Sequence, residues 1–267
     1  MICGRRFGFV LALLVFPFTA IAAAPPKTHV RVFAAASLTE AFSEIAKSFE
    51  ASHPGVHVEL NLAGSQVLAA QLAQGAAADV FASADDRTMS EVKGRGSIDG
   101  ESAVFAGNKL TVIVPRMNPA RIAGLPDLAR RGVKLVIAAD AVPAGHYARE
   151  MFDRLGRRDD FPADYARRAL ANVVSEEENV RVVAGKVQLG EADAGVVYRT
   201  DVTPALARYV RALAVPDSAN VLAHCPIATV AGARHAELAR GFVEAVLSPE
   251  GQRALERRGF IPVAALP

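Results

Sequence analysis

The feature that most constrains this chain is a strand that runs straight into a helix through a tip of small residues. Between Val30 and Glu50 it reads VRVFAAASLTEAFSEIAKSFE. Val30, Val32 and Phe33 make a buried strand, Ala34 to Ser37 a small-residue turn, and Leu38, Phe42, Ile45 and Phe49 recur at helical spacing. Ser37 with Glu40 three residues on has the pattern of a capping box, and a helix start presents free N–H groups and a positive dipole end. Strand-like and helix-like segments then alternate to the end of the chain, which predicts an α/β protein with mainly parallel sheets. Strands are expected at Val56–Leu60, Asp79–Ala82, Lys109–Val114, Leu135–Ala138, Ala194–Tyr198 and Pro226–Val230. The stretch Gly94–Gly100 reads as a loop, and Leu206, Tyr209 and Val210 as a short helix. The chain is expected to cross between two lobes near Leu110 and again near Cys225–Pro226, giving residues 25–107 and 224–267 to lobe 1 and 108–223 to lobe 2.

Residues 1–24 carry the marks of a secretory signal peptide: basic Arg5 and Arg6, an apolar run from Phe7 to Phe18, and small residues Ala20 to Ala24 for cleavage. The run is too short, and too soon followed by Pro25-Pro26, to read as a membrane span. Cleavage would remove Cys3 and leave Cys225 as the sole thiol, so no disulfide framework is expected. It would also remove two of the arginines behind the formal charge of +2, leaving a neutral chain. A neutral protein has no global field for nucleic acid or acidic membranes, so any anion must be held by local dipoles and hydrogen bonds.

Four more junctions repeat the first. They are Asn61–Gln66 around Gly64-Ser65, Ala139–Gly145 before a helix near His146, Ser175–Val180, and Tyr198 at the end of an apolar strand. Each taken alone is a cap, a turn or an edge aromatic. Together they offer two hydroxyls, several backbone N–H groups and a phenol, with no Lys or Arg at any tip. Neutral donors suit a desolvated, fully deprotonated oxyanion, where each hydrogen bond to the charge contributes about 1.5–3 kcal/mol.

Phe33–Leu38, Ala63-Gly64-Ser65, Ala77–Asp85, Val142–Gly145, Glu178–Arg181 and Gly190–Tyr198 follow one another as in the periplasmic molybdate-binding proteins, the solute receptors of molybdate ABC importers. The chain resembles that family over almost its whole mature length. The resemblance implies a two-lobed periplasmic binding fold, type II-like, with each lobe a mainly parallel sheet flanked by helices and the ligand in the cleft. It implies molybdenum bound as molybdate, with tungstate as a near-equal ligand. The contacts it implies are Ser37 and Ser65 through hydroxyl and N–H, Ala144 and Val180 through N–H, and Tyr198 through its phenol. It further implies a periplasmic monomer without catalytic residue or cofactor, whose partner is the membrane permease and not nucleic acid. Val180 must then lie in a first helical turn, which places the helix start near Glu177–Glu178 and Ser175-Glu176 in a loop. Gly64 and Gln66 stand where some relatives carry hydroxyl residues, leaving Ser65 the only hydroxyl there.

Other readings draw on less. Ser90-Glu91-Val92-Lys93 matches the S-x-x-K of serine acyl-transferases, the remote hydrolase alternative, but no S-D-N or K-T-G accompanies it. His53 and His57 are separated by Pro54-Gly55 and cannot share a helical face for zinc, and only Tyr198 is placed like a ferric ligand. His146 follows the Ala144 loop and is a candidate for the cleft mouth; Glu178 is a candidate second contact. Phosphate needs a carboxylate acceptor that the junctions do not supply. Sulfate remains the alternative oxyanion.

Overall fold

The computed structural model describes Met1 and residues 28–267; the expected signal peptide, with Arg5, Arg6 and Cys3, lies outside the described residues. The first half-sheet is built from β1 (Thr28–Ala35), α1 (Thr39–Ser52), β2 (Val56–Ala63), α2 (Ser65–Ala73), β3 (Val80–Ala82), α3 (Asp86–Gly94) and β4 (Ile98–Asn108). The chain then passes to β5 (Leu110–Pro115), β6 (Leu135–Ala138), α4 (Pro143–Gly156), α5 (Tyr165–Leu170), β7 (Val173–Glu177), α6 (Val180–Gln188), β8 (Ala194–Tyr198) and β9 (Val210–Ala214). It returns through β10 (Ala223–Val230), α7 (Ala236–Leu247), α8 (Pro249–Arg257) and β11 (Ile261–Pro262). Two sheets result, ordered β11-β4-β10-β3-β1-β2 and β7-β6-β8-β5-β9. They are the cores of lobe 1 and lobe 2.

Both sheets are mixed rather than mainly parallel. The β1–β2 and β1–β3 pairs are parallel, as are β6–β7 and β6–β8, because helices connect them as right-sized crossovers. The strands that carry the chain into or out of a lobe, β4, β5, β9 and β10, pair antiparallel. Each lobe is therefore a parallel half completed by antiparallel crossing strands. The inner parallel strands are buried on both sides, β1 from Val32 to Ala35 and β8 throughout.

The crossings are tied together by asparagines. Asn220, buried in the return segment, accepts from Leu110 N at 2.9 Å and donates to Leu110 O at 2.9 Å. Asn108 donates to Thr200 Oγ1 at 2.8 Å. Lobe 1 packs α1 on α7 through a ring cluster, Phe42 against Phe105 and Phe242, and Phe49 against Phe242.

Four local expectations change. Ser37 does not cap α1: Ala36–Leu38 form a 3-10 turn, Thr39 starts the helix, and Glu40 turns away to pair with Arg181, so the capping box is not made. Residues 98–108 are a long strand rather than an extension of the glycine loop, and Val210 belongs to β9 rather than to a helix. Ser175 and Glu176 lie in β7, not a loop; α6 starts at Val180 behind the N-cap Asn179. The Ser175 hydroxyl is held by Glu177 and by Lys186 Nζ at 2.8 Å, which leaves it nothing to cap.

Candidate functional site

Every junction singled out in the sequence follows the C-terminal end of a parallel strand. Ser37 comes just after β1, Ser65 after β2, Ala144 after β6 and Val180 after β7, while Tyr198 ends β8. In open α/β sheets ligands gather at such ends, because the helix starts and their free N–H groups are collected there. The two sheets place their ends face to face. Between them lies a small cavity of ≈ 20 Å³, on whose wall Ser37, Ser65, Ala144, Val180 and Tyr198 all stand. Ala35, Ala36, Gly64, Ala84, Val142, Pro143 and Asn179 complete the lining.

The local reasons differ from wall to wall. Gly64 is the N-cap of α2 in extended conformation, so Ser65 is its first residue. A Cβ on Gly64 would stand 2.5 Å from Glu178 O of the other lobe, and glycine alone permits that approach. The Ser65 hydroxyl accepts from Ala84 N at 3.1 Å, which leaves its own proton to donate into the cavity. On lobe 2, Val142 caps α4 with Pro143 at the first helical position, where the missing N–H is no loss. Ala144 is thus the second residue of α4, not part of a preceding loop, and its N–H has no intrahelical partner. Asn179 caps α6, its Oδ1 accepting from Arg181 N at 2.9 Å and Val182 N at 3.1 Å. Those bonds leave Val180 N–H, the first of the helix, without a capping acceptor.

Tyr198 is the anomaly of the site. It is 2 % exposed, and its phenolic oxygen is buried without a hydrogen-bond partner among the described residues. Burial, reinforced by Tyr147, Cys225, Asp85 and Asp201, pushes its pKa well above the ordinary value and keeps it a proton donor. An orphaned buried hydroxyl is costly, and a site that offers one is built for an acceptor from outside. Behind it, Asp201 accepts from Tyr198 N at 2.9 Å, and desolvation raises its pKa to about 7 against the opposing pull of Arg181.

Among the described residues, no lysine, arginine or carboxylate lines the cavity. His146 is not on its wall; the ring stands beside Asp140, Nδ1 to Oδ1 3.4 Å. Glu178 contributes only its main-chain oxygen, to a cross-lobe bond with Gln66. Ser90 is exposed on α3, and Lys93 is engaged by Glu101. Sequence reasoning passed over Gln66, Arg87 and Arg181, which tie the two walls together. Their signal, polar residues one or two positions past a helix start, is common on any surface helix.

The family profile described as bacterial extracellular solute-binding protein matches residues 30–261. The chain belongs to that family. It is 37 % identical to the molybdate-binding protein ModA of Mycobacterium tuberculosis over 267 residues, 96 % of this chain and 97 % of the relative. Among solved structures, the periplasmic molybdate-binding protein of Azotobacter vinelandii superposes with a TM-score of 0.74 at 20 % identity, covering 89 % of this chain and 99 % of the other. The sulfate-binding protein SubI of M. tuberculosis superposes with a TM-score of 0.78 at 20 % identity, covering 88 % and 87 %. At that identity the structural matches establish the two-lobed fold, and the bacterial extracellular solute-binding family is one of ligand capture.

Proposed function

We propose that this protein is the extracytoplasmic receptor that captures molybdate, and tungstate with it, for the permease of an ABC importer. The observation that carries the reading is the donor set of the cavity. Two serine hydroxyls, the first-turn N–H groups of α4 and α6, and an orphaned phenol converge without a cation or a carboxylate. Such a wall complements a dianion that carries no proton, since hydrogen phosphate would find no carboxylate to accept its own. The 37 % identity to the molybdate-binding protein over almost the whole chain favours molybdate over sulfate. Tetrahedral shape and charge are common to both, and the sulfate-binding neighbour shares the fold at lower identity.

In this reading Ser37 and Ser65 hold the anion from lobe 1, Ala144, Val180 and Tyr198 hold it from lobe 2, and the anion draws the lobes together. Residues 25–107 and 224–267 form lobe 1 and residues 108–223 form lobe 2. Residues 1–24 export the chain to the periplasm, where it works as a monomer and performs no chemistry on its cargo. Thermal unfolding against a panel of oxyanions tests the reading. A thousandfold excess of ligand over its dissociation constant stabilises by about 4 kcal/mol. Molybdate and tungstate at micromolar concentration are expected to raise the Tm, and sulfate and phosphate to have little effect at millimolar concentration. A shift with sulfate or phosphate and none with molybdate overturns the assignment.

A further inference from the structure

Three side chains cross the cleft, and each ends on a main-chain carbonyl a few residues ahead of a cavity donor. From lobe 1, Gln66 Nε2 donates to Glu178 O at 2.9 Å, two positions before Val180. Arg87 Nη2 donates to Asp140 O at 3.2 Å and Ala141 O at 3.3 Å, on the turn that leads into α4 and Ala144. From lobe 2, Arg181 Nε donates to Ala36 O at 3.3 Å, one position before Ser37. The same guanidinium grips Glu40 of α1 with both terminal nitrogens, Nη1 to Oε1 at 3.0 Å and Nη2 to Oε2. None of the three side chains lines the cavity.

We infer that Gln66, Arg87 and Arg181 form a cross-cleft clasp that sets how long the closed receptor keeps its anion, with the Arg181–Glu40 pair as its principal member. The inference rests on the receptor reading above. These are positioning residues: they touch the carbonyls next to the donors and not the ligand. The anion must meet donors from both lobes at once, so its residence depends on how often the lobes part. Contacts between the lobes that exist only when they are closed favour that state without adding a bond to the anion. Arg181 is the strongest of the three because its planar fork makes a charge-assisted, two-pronged pair. That pair is about one-third exposed on both sides, which moderates it through solvent screening. The charge of Arg181 is offset by Glu40 and by Asp201, whose Oδ1 lies 3.8 Å from Nε, so its effect is on closure more than on attraction of the dianion.

The test is stopped-flow kinetics with molybdate on the full mature chain, comparing the parent with Arg181→Ala, Glu40→Ala, Gln66→Ala and Arg87→Ala. Arg181→Ala and Glu40→Ala are expected to speed release about three- to tenfold, with the association rate within twofold and the apo Tm nearly unchanged. The Arg181→Ala/Glu40→Ala double variant should release no faster than Arg181→Ala, because the two residues act on one contact. Gln66→Ala and Arg87→Ala should speed release by less. Raising salt should speed release from the parent and have a smaller effect on Arg181→Ala, a response that a merely structural role does not produce. Parent-like release from both Arg181→Ala and Glu40→Ala overturns the clasp. If the parent binds sulfate instead of molybdate, the ligand assignment falls and the same rate ratios, taken with sulfate, decide the clasp separately.

Discussion

The two walls of the cavity solve one problem with different materials. Lobe 1 presents side chains, the hydroxyls of Ser37 and Ser65 on short tips after β1 and β2. Lobe 2 presents mainly backbone, the first-turn N–H groups of α4 and α6, with Tyr198 as its hydroxyl donor. Side-chain donors can be deleted singly. Backbone donors are inseparable from the helix starts that aim them, so lobe 2 is disturbed through its geometry. The contrast teaches where mutation is read as affinity and where as stability.

Two glycines sharpen that contrast most. A Cβ on Gly145 would lie 2.1 Å from Ala139 O and 2.2 Å from Ala138 O, both within lobe 2. Gly145→Ala is therefore expected to destabilise the apoprotein by about 3 kcal/mol despite the better helix propensity of alanine. A Cβ on Gly64 meets Glu178 O across the cleft, at 2.5 Å, and the movable end of the Gln66 side chain in its own lobe, at 2.6 Å. Gly64→Ala should leave apo unfolding almost unchanged, because open lobes relieve the clash, and weaken molybdate binding by roughly 10- to 100-fold. Apo melting and isothermal titration of the two variants separate the cases. Equal losses of apo Tm would break the comparison.

The three side-chain donors come next in size. Ser37→Ala, Ser65→Ala and Tyr198→Phe should each cost about 1.5–3 kcal/mol of binding, roughly 10- to 150-fold in Kd by titration calorimetry. Their apo stabilities should differ. Ser65→Ala leaves Ala84 N, buried, without its acceptor and should cost about 1–3 kcal/mol. Ser37→Ala removes no such bond, and Tyr198→Phe removes a phenol that has no partner, so its apo Tm should hold or rise. Parent-like affinity in all three would reduce these residues to packing.

The smallest effect is a pH dependence seated behind the lobe 2 wall. Asp201 has a folded pKa of about 7, raised by burial above the ordinary carboxylate value. A raised acid pKa means the folded state holds the proton more tightly, so its stabilising share is complete below the unfolded pKa and is lost as pH rises through 7. Between pH 5 and 7 the loss is about 2 kcal/mol. Urea midpoints across that range should fall in the parent and flatten in Asp201→Asn; identical slopes would remove Asp201 as the source.

Much of this was legible because it is local. Alternating strand and helix periods, the small-residue tips, and Ser37, Ser65 and Tyr198 at strand ends are properties of short windows. The start of α6 falls later than the expected Glu177–Glu178, and Ser175-Glu176 are not a loop, because β7 runs through Glu177 and Asn179 supplies the cap. The box at Ser37 failed for a similar reason: Glu40 is taken by a partner 141 residues away. Strands β4, β7 and β9 were missed or shortened because glycine, charge and partial exposure hide their periodicity; β7 alternates half-buried with exposed residues and ends on the buried Glu177. The mixed direction of the sheets follows from where the chain crosses between lobes, which no single window records.

The sequence by itself determined the α/β class, the strand-end positions of four of the five cavity residues (Val180 excepted, since β7 was not legible), and a donor inventory without cation or carboxylate. It could do so because strand and helix periodicity and side-chain chemistry reside in neighbouring residues. Only the tertiary structure decided that two sheets bring those strand ends to one cavity, that the phenol of Tyr198 is left without a partner there, and that Gln66, Arg87 and Arg181 reach across to the opposite wall. Those facts depend on burial and on contacts between residues far apart in the chain, which arise only when both lobes are packed and face each other.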